Sequence, residues 1–191
     1  MKQSLVLLAC LALPMALRAD DDDAREVLAE MNLARTQPRE YARIVARSAR
    51  PGRAATEAVH FLQRVAPLPP LRHSSALATA AREHVSEQGA RGAVGHSGRR
   101  GESPFRRIAR HGTWLGSVGE NIDYGSGSAR ATVVRLIVDE GTLFRKHRAN
   151  IFSRAFRVSG VATGAHARYG STCVMDFADG FIEHRGRAGS R

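Results

Sequence analysis

Residues 156–177 read FRVSGVATGAHARYGSTCVMDF, and this stretch decides the fold class. Apolar and polar residues alternate from Phe156 to Thr163 and again from Thr172 to Phe177, the period expected of strands. The polar segment between them, with Gly164 and Tyr169-Gly170, turns the chain back as a hairpin. Upstream the period changes. Ala24, Val27, Leu28 and Met31 recur at helical spacing behind Asp23, an aspartate suited to cap a helix. Asn32, Arg35 and Pro38 end that helix and open a second around Tyr41 to Val45. Pro51-Gly52 breaks the chain, Ala58, Phe61, Leu62 and Val65 suggest a third helix, and Pro67 to Pro70 form a rigid link. Ser74 or Ser75 caps the longest helix, with Leu77, Ala80, Ala81, His84, Val85 and Gln88 on one face. Gly89 to Gly101 is loop, Phe105 to Ile108 a short helix, and Gly116 to Tyr124 a turn and strand. Gly125 to Ser128 is a flexible loop ending in a helix cap at Ser128, and a helix runs from about Ala129 to Glu140. Helices first and strands last give an α+β fold, with helices covering an antiparallel sheet.

The helix ending at Glu140 carries the first candidate for chemistry. Val133, Leu136 and Ile137 mark its buried stripe, and seven residues after Val133 stands Glu140, on the same stripe. Asp139 lies about 100° round the helix and pairs naturally with Arg135 one turn earlier. An inward glutamate needs a partner, unless the helix end frays and lets it reach water. Candidate partners are His147 in KHRANIF, Glu120 between Gly119 and Asn121, and His96 in GHSG directly after the long helix. Each alone is an ordinary polar residue. Together they are two imidazoles and two carboxylates, the mixed N and O set that suits zinc or a similar divalent ion. No His-Glu-x-x-His occurs, so the helical metalloprotease motif is absent.

Composition narrows the setting. Lys2, the apolar run Leu5 to Leu17 and the small residues Ala16 and Ala19 have the order of a secretory signal peptide over residues 1–19, with cleavage after Ala19. The run is too short for a membrane span, which needs about 20 apolar residues, and no later segment qualifies. Leu7-Leu8-Ala9-Cys10 loosely fits a lipidation box, but the apolar run continues past Cys10, which a lipidated cysteine should end. After cleavage only Cys173 remains, so packing rather than a disulfide must hold the fold, and Cys173 reads as a small buried hydrophobe on a strand. The formal charge is +11, almost all of the cations being arginine, with clusters at Arg99-Arg100, Arg106-Arg107-Arg110 and Arg185-Arg187-Arg191. Such charge favours anionic surfaces without specifying one. The aromatic interleaving used to bind single-stranded nucleic acid is absent. From Glu183 the chain is polar and basic, and residues 182–191 read as a flexible tail.

Five blocks appear in a set order: AAREH (80–84), GHS (95–97), GENI (119–122), HRANI (147–151) and FRVSGVA (156–162). This ordered set resembles a bacterial CAP, or SCP-like, domain, of the superfamily of cysteine-rich secretory, antigen 5 and plant pathogenesis-related proteins. Asn32, Arg35 and Pro38 resemble its opening helix, and DEG (139–141) and CVMDF (173–177) resemble one bacterial branch. The resemblance covers residues 24–181. It implies an α–β–α sandwich whose central cleft carries two histidines and two acidic residues, mapped by motif onto His96, Glu120, Glu140 and His147. In some members the histidines hold a divalent metal, often zinc. His84 is the substitute for His96, though a core histidine is the simpler reading of a residue on the apolar face. The disulfide cysteines of the eukaryotic branches are missing here, so their activities are not carried over.

One scaffold hosts many functions. The leading expectation is a secreted or periplasmic, non-enzymatic binding module for a lipid, envelope or protein ligand, with a cleft able to hold zinc. The alternative is a metal-dependent hydrolase in which Glu120 or Glu140 acts as general base on bound water. A third reading, an electrostatic adhesin for anionic envelopes, rests on charge alone.

Overall fold

The structure, a computed structural model, describes the backbone of residues 12–184 and the side chains of residues 20–184 other than Leu143. Lys2, the apolar run through Cys10 and the basic residues Arg185, Arg187 and Arg191 lie outside the described residues. Four helices come first: α1 (Ala12–Thr36), α2 (Pro38–Ser48), α3 (Arg53–Arg64) and, after the two-residue strand β1 (Arg72–His73), α4 (Ser75–Gly89). Short α5 (Pro104–Ala109), β2 (Gly112–Trp114), β3 (Val118–Tyr124), α6 (Ala129–Val138) and α7 (Lys146–Ile151) follow. The hairpin β4 (Val158–His166) and β5 (Gly170–Ala178) and the short β6 (Phe181–Glu183) are the last described elements; Ile182 and Glu183, expected in a flexible tail, instead pair with β2. No helix among the described residues is long and apolar enough to cross a membrane.

The main sheet has the order β1-β4-β5-β3. β5 pairs antiparallel with both β4 and β3, whereas β1 runs parallel to β4, so the sheet is mixed rather than wholly antiparallel. Side-chain alternation along β5 divides the core. Cys173, Met175 and Phe177 face a layer built from α1, α2, α3, α6 and α7, where Met31, Tyr41, Leu62, Val133 and Ile137 are buried. Val174 and Ala178 face α4, against Leu77, Ala80, Ala81 and Val85. The result is an α–β–α sandwich. Burial pushes the Cys173 thiol well above its ordinary range, in keeping with its place as a core side chain.

Two close contacts fix the layers. At Gly160 of β4 a side chain would stand 2.0 Å from the Ala78 amide nitrogen, so α4 rests directly on the strand backbone and only glycine fits. On the other side Arg35, fully buried, donates to the carbonyls of Pro69 (3.1 Å), Ile151 (2.6 Å), Ser153 (3.1 Å) and Phe156 (3.4 Å). Burial, and then the nearby Arg157 guanidinium, draw its pKa down to about 10, so it keeps its charge at neutral pH. Asn32 both donates to and accepts from the backbone of Leu71. These two residues therefore act as clamps, and α1 runs past them to Thr36 before Pro38 starts α2.

Elsewhere the sequence and the structure differ at element ends. Ser74 and Ser128 cap α4 and α6 as expected, accepting from the amides of Leu77 and Ala131. Asp23, expected as a cap, lies within α1, whose backbone is helical from Ala12, a stretch rich in strong helix formers. The pairing of β2 with β6 was not legible, because three-residue strands carry too little alternation to register.

Replacing Arg35 with Ala leaves four carbonyl groups without this donor. Its unfolding free energy in urea should fall by about 3 kcal/mol, and Arg35→Lys should restore less than half of that, because an ammonium cannot reach all four acceptors.

Candidate functional site

β3 is an edge strand of the main sheet, so its side chains alternate between the two helical layers while its open flank borders a cavity. Glu120, Ile122 and Tyr124 face the α4 side, and Asn121 and Asp123 face α6 and α7. The cavity, about 890 Å³, is lined on its apolar side by Ile122, Ala131, Val134, Leu136 and Val138. Its polar wall includes His96, His147, Asp139, Glu140, Arg50 and Arg135. His96 and His147 thus reach one cavity from opposite layers.

Glu120 is buried and accepts from two side chains. The Nδ1–H of His96 donates to Oε1 at 2.8 Å, and the buried Arg107 guanidinium donates to Oε2. Directly opposite in the strand register lies Asp176 of β5, fully buried. With both carboxyls ionised, neither Asp176 oxygen has a partner; carrying a proton, Asp176 donates to Glu120. Burial first, then the charge of Glu120, hold the Asp176 carboxyl well above the ordinary range, so the protonated arrangement is favoured. Arg107 and Glu120 then balance each other as the one ion pair of this cluster.

The loop bearing His96 is held by α4. The carbonyl of Gly95 accepts from His84 Nε2 at 3.0 Å and from Gln88, and the Gly95 amide donates to the Tyr124 hydroxyl at 2.9 Å. His84 is fully buried, and burial and then Arg107 lower its pKa. It is a core histidine that positions its neighbour, not a group facing the cavity.

The second histidine is held by a residue that helical periodicity misplaces. α6 ends at Val138 because Asp139 takes a left-handed conformation (φ 54°, ψ 43°), so the stripe cannot be extended to residue 140. Asp139 turns inward and Glu140 is exposed at the cavity mouth. The Asp139 carboxylate accepts from His147 Nδ1 at 2.7 Å and from the backbone N–H groups of His147 (2.8 Å) and Arg148 (3.3 Å). Burial draws its carboxyl upward, but the hydrogen bonds from His147 and Thr142 outweigh burial and leave it below the ordinary range. Arg135, expected to pair with Asp139, instead meets Asp123 at 3.5 Å and the Tyr124 carbonyl at 2.6 Å.

The four expected residues therefore divide. His96, Glu120 and His147 belong to two imidazole–carboxylate pairs, whereas Glu140 only rims the cavity. Sequence reading missed Asp139, Arg107 and Asp176. A charged residue inside the apolar run CVMDF was the one visible signal, for Asp176. Among the described residues no group of three or more His, Cys, Asp or Glu side chains is placed to hold a metal ion.

The raised Asp176 carboxyl has a stability consequence. Its folded pKa exceeds the unfolded value of about 3.9, so the folded state holds more protons between the two, and stability falls as pH rises through that window. Asp176→Asn keeps a donor toward Glu120 and removes the titration. In urea unfolding the variant should gain on the wild type by about 1.4 kcal/mol per pH unit within the window, starting near pH 4.

The fold is similar to several solved structures. An extracellular protein containing an SCP domain from Bacillus anthracis matches 93% of this chain and 45% of its own, with a TM-score of 0.56 and 15% identity. An outer surface protein from Borrelia burgdorferi matches 58% of this chain and 78% of its own, at TM-score 0.50 and 16% identity. A cysteine-rich secretory protein from Staphylococcus aureus matches 86% and 40%, at TM-score 0.50 and 12% identity. This chain thus spans less than half the length of the Bacillus and Staphylococcus proteins, and at these identities the likeness is one of fold. A comparison with curated proteins finds no sequence match. The model of the cysteine-rich secretory protein family, CAP, matches residues 28–177, and with its α–β–α sandwich and ordered blocks this chain belongs to that family.

Proposed function

We propose that this chain is an exported, non-enzymatic binding module whose cavity takes an amphiphilic ligand such as an envelope lipid. The observation that carries the reading is the cavity itself. Aliphatic side chains of α6 and Ile122 line it together with imidazoles, carboxylates and arginines, so it suits a molecule with an apolar body and a polar end. Export agrees with the leader-like residues 1–19 and with two structural neighbours being an extracellular protein and an outer surface protein.

Zinc is a second candidate occupant. In both pairs the carboxylate accepts from Nδ1–H, which leaves Nε2 of His96 and His147 as the lone-pair nitrogen. A carboxylate on the far nitrogen is the usual way a ligating imidazole is oriented. The donor set fits an ion held by two imidazoles, its remaining positions left to solvent or ligand; bound there, zinc would act as a Lewis acid toward a polar ligand group. The hydrolase alternative draws on the same imidazole–carboxylate pairs. It is weaker because Glu120 is already engaged by His96, Arg107 and Asp176, and Glu140 is exposed. Neither stands as an unengaged base inside the cavity.

Displacement of a fluorescent fatty acid tests the cavity. The wild type should bind it, and Ala131→Trp, which fills the aliphatic wall, should weaken binding at least about tenfold; equal affinity in both would place the ligand elsewhere. No zinc-dependent turnover of peptide, ester or phosphoester panels is expected, and turnover lost in Glu140→Gln would replace this reading with the hydrolase.

Calorimetric titration with zinc tests the metal. Binding should vanish in His96→Ala/His147→Ala and weaken roughly 10–100-fold in Asp139→Ala, while Glu140→Gln should change it less than about twofold. An unchanged affinity in the double-histidine variant would remove the metal from the proposal.

A further inference from the structure

We propose that the cavity's ligand carries an N-acylated amino-acid residue, held by the backbone N–H and C=O of Ile122 on the open edge of β3. The inference rests on the amphiphile-binding reading of the cavity and names the chemistry of the group next to the apolar body.

Register decides which backbone groups of β3 face outward. In an antiparallel pair each residue sends its N–H and its C=O to the same side, and successive residues alternate. At one end of β3 the Gly125 amide donates to the Ser171 carbonyl (2.9 Å), and at the other the Asp179 amide donates to the Ser117 carbonyl (3.1 Å), both continuing the register of the strand pair. Gly119, Asn121 and Asp123 therefore spend their backbone groups on β5, and Glu120, Ile122 and Tyr124 turn theirs to the open flank. Two side-chain contacts agree. Asn150 Nδ2 donates to the Glu120 carbonyl at 3.3 Å, and Arg135 donates to the Tyr124 carbonyl at 2.6 Å. Ile122 lies between them, and its N–H and C=O have no hydrogen-bond partner among the described residues. Its side chain packs with Ala81, Val85, Ala162 and Val174, and the residue borders the cavity.

A donor and an acceptor on one strand residue are answered by a matching pair on the residue opposite, an N–H and a C=O on either side of one tetrahedral carbon. An amino-acid residue has that unit. A carboxylate or an ester offers oxygens only, so it can meet the Ile122 N–H but leaves the Ile122 carbonyl without a donor. A longer peptide strand cannot continue the ladder. Its residues two places either side would have to donate to the carbonyls of Glu120 and Tyr124, which Asn150 and Arg135 already hold. The open edge thus takes a single residue. An acyl group on the nitrogen of that residue supplies the apolar body, and Val134, Leu136 and Val138 of α6 offer it an aliphatic surface in the same cavity. Two kinds of molecule share this chemistry, a free acyl amino acid and the acylated first residue of a peptide.

Calorimetry on the full chain compares probes that share one dodecanoyl chain: N-dodecanoylglycinamide, the ester O-dodecanoylglycolamide, which replaces only the N–H by oxygen, and dodecanoate. The glycinamide should bind at least about tenfold more tightly than the ester. In amide NMR spectra the Ile122 signal should move when the glycinamide binds, and the Asn121 and Asp123 signals, whose N–H groups point to β5, should move less. N-dodecanoylglycine separates the two sources. Binding tighter than the glycinamide assigns a free acyl amino acid and weaker binding an acylated peptide, and either order upholds the proposal. Equal affinity for glycinamide and ester would overturn it while leaving the amphiphile reading in place. An Ile122 amide unmoved by bound glycinamide would overturn it in the same way. If no probe binds, dodecanoate included, the cavity reading fails and this inference fails with it.

Discussion

Arg35 carries a full charge into the interior without a carboxylate to meet it, and the arrangement holds because four carbonyls converge on its guanidinium. Those carbonyls come from the proline-rich link, from the end of α7 and from the approach to β4, segments with little regular structure of their own. A fork of fixed N–H directions is what lets one side chain satisfy all of them. α7 starts one residue before His147 and ends at Ile151, whose carbonyl is an Arg35 acceptor, so the orientation of that histidine depends on a residue in the first helix. With Cys173 a free thiol and no disulfide among the described residues, such polar clamps do the cross-linking that covalent bonds do in disulfide-bonded domains.

The cavity exists because β3 is an edge. A strand with neighbours on both sides would have no open flank, and its two faces would belong to separate layers. At the edge, His96 anchored from one face and His147 anchored from the other come to line a common space. Both are tethered in the same way, by a buried carboxylate on Nδ1, yet the carboxylates differ in cause. Asp139 is charged and stabilised by amides at a helix end, whereas Glu120 shares its burden with a guanidinium and a protonated neighbour. The cost of burying these groups is offset while their partners are present, and the cavity's chemistry is left to be decided by what enters.

Much of this was written in the sequence. Helical and strand periods gave the α+β class, Ser74 and Ser128 gave their caps, and the ordered blocks gave the family, because each of these is a local property or a sum of local properties. His96, Glu120 and His147 were ordinary polar residues one by one, and stood out only as a set through the ordered blocks that carry them. Glu140 was misplaced, since periodicity extrapolates a helix that the left-handed Asp139 has already ended, and one residue of error exchanges an inward carboxylate for an exposed one.

What only the tertiary structure decided is which buried charges meet. Arg107 and Glu120 are 13 residues apart, and Glu120 and Asp176 are joined by strand register across a gap that no local pattern encodes. The ribbon of β2 and β6 likewise pairs segments from the middle and the end of the chain. Sequence alone fixes propensity, patterning and composition, which depend on neighbours along the chain; partners brought together by folding are fixed by the packing of whole layers, and the pairs that hold His96 and His147 belong to that second kind.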